Sequence, residues 1–597
     1  MKIHIKHFRK GLTALVAVCA FSLGALTIMT PRVAADDLPV IYRSGTLPTS
    51  ETWTAGNVYY IDSLTVPSGA TLTIQAGSII KVGGTGINVS AGATLNVNGT
   101  STNQVLFTCH SDDSAGGDSD EDGPRTPMPS EFSSAITPNG GDVNVGYAQF
   151  KYGSFAINDI NIGHNPAAVS ISDSEFNTVG GVRTYYPISL QRNHFAVGDS
   201  GAISIMYASD ITGLVLSGAN KNTFSGTGTQ LAVNLYRSTI PANETWSIEA
   251  GPVIVPGHSL TVRGTLNVNE GTVIKMSDGT NAIDVANGGQ LIVEGSSNSP
   301  VTITSSADDT IFGDSTGDGA HVPFVGNYQN AVTAEQGSSV SIAYANIEYA
   351  NNALELNGNA ETNNVNISNV NTAIRTYDMD GDFRATNIHD VETGISVQSS
   401  SKLTYRGTIT NASYKAIASC KWSQNCNVDA AYTNWGSSNG PFLSNGNAVV
   451  CGRVTVSPWT SGGSSANDMF SIKNCDNSPT PSEQLSASIQ TYQQAVNNSK
   501  IQCDNGFQDA CQQISRTFAC VDAAIGLATT NAPFPLPSSS ASESAATYAG
   551  DMVSASSTYI NGIEEASPAA FSASVMGGVA SVLGIFTGLI NAYNSCT

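Results

Sequence analysis

The stretch ANIEYANNALELNGNAETNNVNISNVNTAIRT, residues 345–376, repeats one short pattern at a step of 20 or 21 residues. Its Asn-aliphatic pair is followed six or seven residues later by a small residue and a second aliphatic one. The pairs are Asn346-Ile347, Asn366-Ile367, Asn387-Ile388 and Thr408-Ile409, followed by Ala353-Leu354, Ala373-Ile374, Gly394-Ile395 and Ala416-Ile417. Such a period, with short β segments and Asn and Gly at the turns, predicts one coil of a parallel β solenoid per repeat.

In such a solenoid each coil points its aliphatic side chains inward and pairs its backbone with both neighbouring coils, about 4.8 Å away. Phe150, Phe176 and Phe195 show a looser version of the pattern in the first half. A leucine-rich repeat has a similar period, but its Leu signature is missing. Tandem β sandwiches are the alternative architecture, although they do not account for the 21-residue step.

The chain also contains a long internal duplication. Residues 93–99 and 103–108 return as residues 289–295 and 299–304, at an offset of 196 residues. Trp53 and Trp246 open the two copies in similar contexts, Glu-Thr-Trp. The predicted fold is therefore mainly β, a right-handed parallel β-helix built of two halves, residues 36–235 and 236–418.

The amino terminus has the order of a Sec signal peptide: basic residues, an apolar run from Leu12 to Met29, and small residues before Asp36. We expect cleavage after Ala35, which makes residues 1–35 the signal peptide and predicts an extracellular or cell-surface protein. An uncleaved membrane anchor is the alternative, because the apolar run approaches the length of a bilayer span. Cleavage would remove five basic and no acidic residues from a chain whose net charge is already −22. Nucleic acid is therefore not an expected partner.

An open solenoid end would expose unpaired strand edges, so a cap is expected after the last coil. Residues 419–475 occupy that position. Within them, Asn434-Trp435-Gly436, Gly440-Pro441 and Ser457-Pro458-Trp459 resemble the closing segment of bacterial surface right-handed β-helix repeat proteins. The Gly-Ala-Thr-Leu coils around residues 69–99 resemble the same pectate-lyase-like group, and the likeness spans roughly residues 45–460. The resemblance implies the fold more firmly than a function, since no lyase active site is recognisable.

Eight of the ten cysteines lie between Cys420 and Cys596, which predicts disulfides in the carboxy-terminal part of an exported protein. Proximity suggests the pairs Cys420–Cys426 and Cys451–Cys475, although sequence does not fix connectivity. Once the predicted signal peptide, which contains Cys19, is removed, Cys109 stands alone in the amino-terminal half.

After Cys475 the pattern becomes helical. Residues 476–483 form a linker that ends in a capping box, and residues 484–597 are predicted to be an α-helical region. Its last helix, residues 568–593, carries no charge. That helix either packs in a small disulfide-tied bundle or attaches the protein to a membrane.

Two acidic loops at duplicated positions are the sharpest candidate site. The first, Asp118-Ser-Asp120-Glu-Asp122-Gly123, places oxygen donors at alternating positions before a glycine, as calcium loops do. Neither copy is a complete EF-hand loop, and a solvated acidic loop is the alternative interpretation. The predicted Ca²⁺ ligands are Asp112, Asp113, Asp118, Asp120 and Asp122 in the first copy, and Asp308, Asp309, Asp314 and Asp318 in the second.

No catalytic constellation stands out. His110 and Arg125 flank the first acidic loop, but Ser306 and His321 take their places in the second. A third acidic run at residues 378–382 has no counterpart in the other half. We therefore predict a non-enzymatic surface protein, a rigid stalk or adhesin-like module that binds a polysaccharide or a surface protein. The alternative is an extracellular polysaccharide lyase or glycoside hydrolase.

Overall fold

The computed structural model describes residues 38–475, except 161–167, 178, 198–200, 207, 278, 280, 420–424, 444–447, 461, 467–468 and 472–474. The predicted signal peptide, Cys420 of the predicted Cys420–Cys426 pair, the predicted linker 476–483 and the predicted helical region 484–597 lie outside these residues. In the part described, the chain folds into a right-handed parallel β solenoid with almost no helix. No helix there is long and apolar enough to span a bilayer.

Among its described residues, the first half contains nineteen strands and one 3₁₀ helix, Gly228–Leu231. The strands are β1 Val40–Thr46, β2 Glu51–Trp53, β3 Val58–Val66, β4 Thr71–Gln75, β5 Ile79–Val89, β6 Thr94–Asn98, β7 Val105–Cys109, β8 Phe132–Thr137, β9 Asp142–Gly146, β10 Ala148–Lys151, β11 Gly153–Asp159, β12 Val169–Ser172, β13 Glu175–Asn177, β14 Val182–Thr184, β15 Ser189–Gln191, β16 His194–Ala196, β17 Ile203–Met206, β18 Thr223–Phe224 and β19 Ala232–Tyr236.

The described part of the second half and the cap combines short strands with a few long ones that continue around the corners of the solenoid. The strands are β20 Thr239–Ile240, β21 Thr245–Ile248, β22 Val253–Pro256, β23 Leu260–Val262, β24 Thr265–Asn269, β25 Val273–Met276, β26 Asn281–Val285, β27 Gln290–Glu294, β28 Val301–Ser305, β29 Tyr328–Ala334, β30 Ser339–Glu348, β31 Ala350–Leu356, β32 Asn359–Thr376, β33 Asp380–Val397, β34 Lys402–Ser419, β35 Asn427–Asp429, β36 Val450–Cys451 and β37 Val454–Thr455. The long strands among them are β30 and β32 to β34.

The predicted 21-residue ladder is confirmed. Ile347 pairs in register with Ile367, Ile367 with Ile388, and Ile388 with Ile409. All pairings between the named strands are parallel, so the sandwich alternative is wrong for the described residues. Each inward aliphatic lies on its equivalent in the next coil, and one continuous apolar core runs along the axis.

Aromatic stacking reinforces one side of the first half. The rings of Phe107, Phe150, Phe176, Phe195 and Phe224 form a column with successive centroid distances of 5.0, 5.2, 4.4 and 5.3 Å. The interplanar angles in this column stay between 12° and 19°. Parallel in-register strands place identical side chains at nearly the coil spacing, which suits offset stacking.

The two halves join through a change of face that the sequence pattern did not predict. In the first half, β7, β10, β13, β16 and β18 stack as one face, and that face ends at β18. The second-half equivalent of the start of β5 is β25, yet β25 stacks on the adjacent face, through β22, β19 and β17. A new face starts with β20. The coil formed by residues 223–248 therefore has four sides. Two faces of the second copy are shifted by one position, whereas the third face continues from β15 through Leu214 and Leu216 into β21.

The carboxy-terminal end is partly covered by aromatic side chains and carries a disulfide. The predicted Cys451–Cys475 bond is confirmed, with a Cα separation of 5.6 Å. The Phe442 ring contacts both Trp459 and Phe470, at centroid distances of 6.2 and 6.0 Å. Cys426 is also disulfide-bonded, whereas Cys109 is a buried free thiol.

Candidate metal centre

Two loops, called here the first acidic loop (residues 110–131) and the second acidic loop (residues 306–327), leave the solenoid after β7 and β28. Each folds back along the outside of the preceding coils. The first contacts the start of the chain, where the Leu38 N–H donates to the Gly116 carbonyl at 3.2 Å. The second contacts the 3₁₀ helix, where the Gly228 N–H donates to the Phe312 carbonyl at 2.7 Å. The first acidic loop thus contacts the first coil of its own half, whereas the second contacts the last part of the first half.

A buried lysine lies beneath each loop. Lys81 of β5 donates from Nζ to the Gly117 carbonyl at 2.5 Å, and Lys275 of β25 donates to the Gly313 carbonyl at 2.6 Å. Burial lowers the pKa of Lys81, while the nearby carboxylates Asp113 and Asp112 oppose this change. A repeated lysine inside apolar strands, Ile79-Ile-Lys-Val and Val273-Ile-Lys-Met, was the sequence signal for these residues. Neither lysine was among the site residues predicted from the sequence.

Both loops share the same internal hydrogen bonds. In each loop, the hydroxyl group of a strand threonine donates a hydrogen bond to the first of three aspartates. Backbone N–H groups of the same loop donate to the second and third aspartates. The pairs are Thr108–Asp112 at 2.7 Å and Thr304–Asp308 at 2.8 Å, Arg125–Asp113 and His321–Asp309 both at 2.8 Å, and Gly123–Asp118 at 2.9 Å with Gly319–Asp314 at 2.8 Å. The duplication therefore extends to the hydrogen-bonding pattern of the loops.

Each loop also covers outward-facing apolar side chains. Gly116 approaches Val58 so closely that a Cβ there would lie 2.4 Å from Val58 Cγ2. In the second copy, Ile311 packs on a separate small core of Leu231, Ala232, Val253, Val255 and Val273. Hydrogen bonds and apolar contacts both attach the loops to the solenoid, so the loops are packed parts of the fold.

The first loop brings three predicted ligands together. One ligand oxygen from each of Asp113, Asp118 and Asp120 lies within 4.8 Å of the others. In each of the three carboxylates, Oδ1 is buried and accepts no hydrogen bond. The Gly123 N–H holds the pKa of Asp118 below its usual value, whereas burial and contact with Asp118 raise the pKa of Asp120. Three acceptors without donors are the ligand set that a hard cation prefers.

The other predicted ligands of the first copy are used differently. Asp112 accepts hydrogen bonds from Thr108 and from Ser114, the latter at 2.5 Å. Asp122 pairs with Arg125 at 2.7 Å. The structure therefore narrows the predicted first-copy set from five aspartates to a cluster of three.

The second loop lacks this cluster because Thr316 stands where the first has Asp120. Asp314 Oδ1 accepts from the Thr316 and Gly317 N–H groups at 3.0 and 2.7 Å. Burial raises the pKa of Asp309 to about 6. Asp318 is largely exposed and lies 3.6 Å from His321 Nε2. In the described ranges, the first acidic loop holds the single group of three metal-binding side chains.

A second polar feature lies on a flat face of the second half. A shallow groove of about 540 Å³ is lined by Ser339, Val340, Asn359, Ala360, Glu361, Asp380, Gly381, Asp382, Lys402 and Thr404. Glu361 and Asp382 are in-register neighbours on β32 and β33, and Arg384 donates to Asp382 at 2.7 Å. These two carboxylates lie on a coil face beside the basic residues Arg384 and Lys402. This arrangement was not predicted from the sequence. The sequence does indicate it, because Glu361 and Asp382 are 21 residues apart, which is the length of one coil.

Comparison with known families supports the fold assignment. Residues 45–120 match the family model described as the pectate-lyase-like β-helix domain. The chain carries a pectate-lyase-like β-helix domain. No curated protein and no solved structure matches the chain significantly. The matched β-helix coils include the first half of the first acidic loop and end at Asp120.

Proposed function

We propose that this protein is an exported, non-enzymatic surface protein in which the β-helix acts as a rigid stalk and presents a binding face. The observation that supports this role is the continuous parallel stack, whose single apolar core joins both halves and the cap. Such a solenoid resists bending because every coil pairs with both neighbours along its length. The groove on the second half offers polar side chains to a polysaccharide or a surface protein.

Cell fractionation tests the location, and glycan and protein arrays test the binding. We expect the mature protein at the cell surface, with array binding weakened by Glu361→Gln together with Asp382→Asn. Mature protein found free in the medium, with no binding to cells or glycans, contradicts this role. Probing the carboxy terminus separately tests whether residues 568–593 attach the protein to a membrane.

The second candidate function is a polysaccharide lyase or glycoside hydrolase. Glu361 and Asp382 favour it, because a retaining hydrolase places two carboxyl groups about 5–5.5 Å apart and adjacent coils are about 4.8 Å apart. Incubation with pectin, alginate and neutral polymers, with and without Ca²⁺, separates the two functions. Unsaturated uronates or new reducing ends that disappear in the Glu361→Gln variant would establish the enzyme.

We also propose that the first acidic loop binds one Ca²⁺ through Asp113, Asp118 and Asp120. Their three buried, unpaired Oδ1 atoms support the proposal, with backbone oxygens and water completing the six to eight ligands that Ca²⁺ requires. In the second loop we expect no ion, because Thr316 and backbone N–H groups donate hydrogen bonds to Asp314 instead. Calcium titration by calorimetry is expected to give one site per chain; two equal sites or none contradict this assignment.

A further inference from the structure

The carboxy-terminal end of the solenoid presents an apolar surface that the described residues only partly cover. Phe442, Ala448, Val449 and Phe470 pack against the core but remain partly exposed. Leu443 and Met469, the chain neighbours of the Phe442–Phe470 ring pair, are 50% and 59% exposed. We call Phe442, Leu443, Ala448, Val449, Met469 and Phe470 the apolar rim.

The rim is a continuous surface. The Val449 N–H donates to the Pro441 carbonyl at 2.8 Å, and Phe442 forms a β bridge with Ala448. The Phe470 N–H donates to the Gly452 carbonyl at 2.8 Å, which places residues 469–470 beside β36. The rim therefore lies beside β36, one of the last short strands, and an uncovered strand edge there would invite pairing with other chains.

The chain continues from the rim itself. Cys475 is tied to Cys451 of β36, so the disulfide holds the start of the following segment only five residues after Phe470. The next stretch, residues 484–525, carries apolar residues at helical spacing, first Leu485, Ile489 and Tyr492. The connecting residues 476–483 span at most about 26–29 Å when fully extended, which keeps residue 484 near the rim.

We propose that residues 484–525 dock on the apolar rim and complete the cap of the solenoid. The short tether and the disulfide give this segment a high local concentration at the rim, which favours it over a partner in solution. Docking removes from water the exposed apolar side chains of Leu443 and Met469. This proposal is independent of the display role, because it concerns the end of the solenoid and not the groove.

Trypsin digestion of the full mature chain tests the proposal. Lys500 and Arg516 are the basic residues within residues 484–525, so cleavage after them reports how often the segment leaves the rim. We expect slow cleavage in the wild type and about tenfold faster cleavage in the variant Leu443→Ser with Met469→Ser. The matched control, Met128→Ser with Phe324→Ser, removes two exposed apolar side chains from the acidic loops and should leave the cleavage rate unchanged.

Several outcomes overturn the proposal. Rapid wild-type cleavage, or equal rates in the wild type and the rim variant, shows that the rim does not hold the segment. A rim variant that changes from dimer to monomer in sedimentation, with unchanged cleavage, assigns the rim to a second copy. Vesicle binding lost in the rim variant, again with unchanged cleavage, assigns it to a lipid surface. An unchanged melting transition of the solenoid confirms that the rim variant is folded.

Discussion

At the scale of single residues, the buried lysines show how an acidic protein keeps carboxylates inside its fold. Lys275 is fully buried, and burial lowers the pKa of its ammonium group, while the charges of Asp309 and Asp308 oppose this change. Its ammonium group also holds the second acidic loop through Gly313. Lys275 therefore both compensates the negative charge of the second acidic loop and attaches that loop to the solenoid.

Replacing Lys275 by methionine is expected to destabilise the second half by about 3 kcal/mol. Methionine fills a similar volume, but the Gly313 carbonyl loses its donor and the neighbouring aspartates lose their buried counter-charge. Chemical denaturation measures the change, and Lys402→Met, at an exposed position, should cost less than about 0.5 kcal/mol. Equal effects of the two substitutions would contradict a structural role for the buried lysine.

Cys109 is expected to be unreactive in the native protein. Burial raises the pKa of its thiol to about 12, so almost no thiolate exists near neutral pH. Peptide mass spectrometry after alkylation at pH 8 should show Cys109 unmodified in the native protein and modified in denaturant. Rapid native labelling would show that β7 opens readily. The sequence identified the lone cysteine, but only the coil around it shows that it is inert.

Asp120 and Thr316 are the decisive difference between the two acidic loops. We expect excess Ca²⁺ to raise the melting temperature of the wild type relative to EDTA, with about 2.7 kcal/mol gained at a hundredfold excess over Kd. Asp120→Asn should abolish most of this gain because it removes one charged ligand. The control Asp318→Asn, on the second loop, should retain the full calcium effect. An Asp120→Asn variant that responds like the wild type would exclude the proposed site.

At the scale of elements, the phenylalanine column carries much of the packing in the first half. Phe176→Ala is expected to cost about 3–5 kcal/mol, because Phe176 is fully buried between Phe150 and Phe195. Phe224→Ala, at the half-buried end of the column, should cost clearly less. Hydrogen exchange in β13 and β16 is the readout that localises the loss. Equal costs at both positions would show that stacking does not add to burial.

The sequence predicted those elements whose side chains repeat at the coil period. Ile347, Ile367 and Ile388 were assigned to one inward column from spacing alone, because in-register parallel pairing places residues one coil apart on top of each other. The same rule, applied to polar residues, would have placed Glu361 beside Asp382. The contact between Lys81 and Gly117 could not be predicted this way, because it depends on how a 22-residue loop folds back outside the repeat.

At the scale of the whole molecule, the four-sided coil is the feature that joins two similar halves into one solenoid. The face ending at β18 and the face starting at β20 are both present in this coil, so the core continues without a gap while two of the three faces of the second copy are shifted. Sequence comparison of the halves detects the duplication but not the shift of these two faces, because the shift depends on which strand β22 pairs with. The two acidic loops therefore leave the solenoid from two different faces, the first after β7 and the second after β28.

This architecture predicts that a whole coil is dispensable while a fraction of a coil is not. Deleting residues 366–386 joins Val365 to Asn387, the in-register partner of Asn366, so Ile347 would stack directly on Ile388. We expect this variant to fold with a parallel β spectrum and a modestly lower melting temperature, as expected when one unit is lost from a repeat array. Deleting residues 366–376 should prevent folding, since it moves inward aliphatics out of register. A folded half-coil deletion, or an unfolded whole-coil deletion, would show that stability depends on specific coils and not on register along the array.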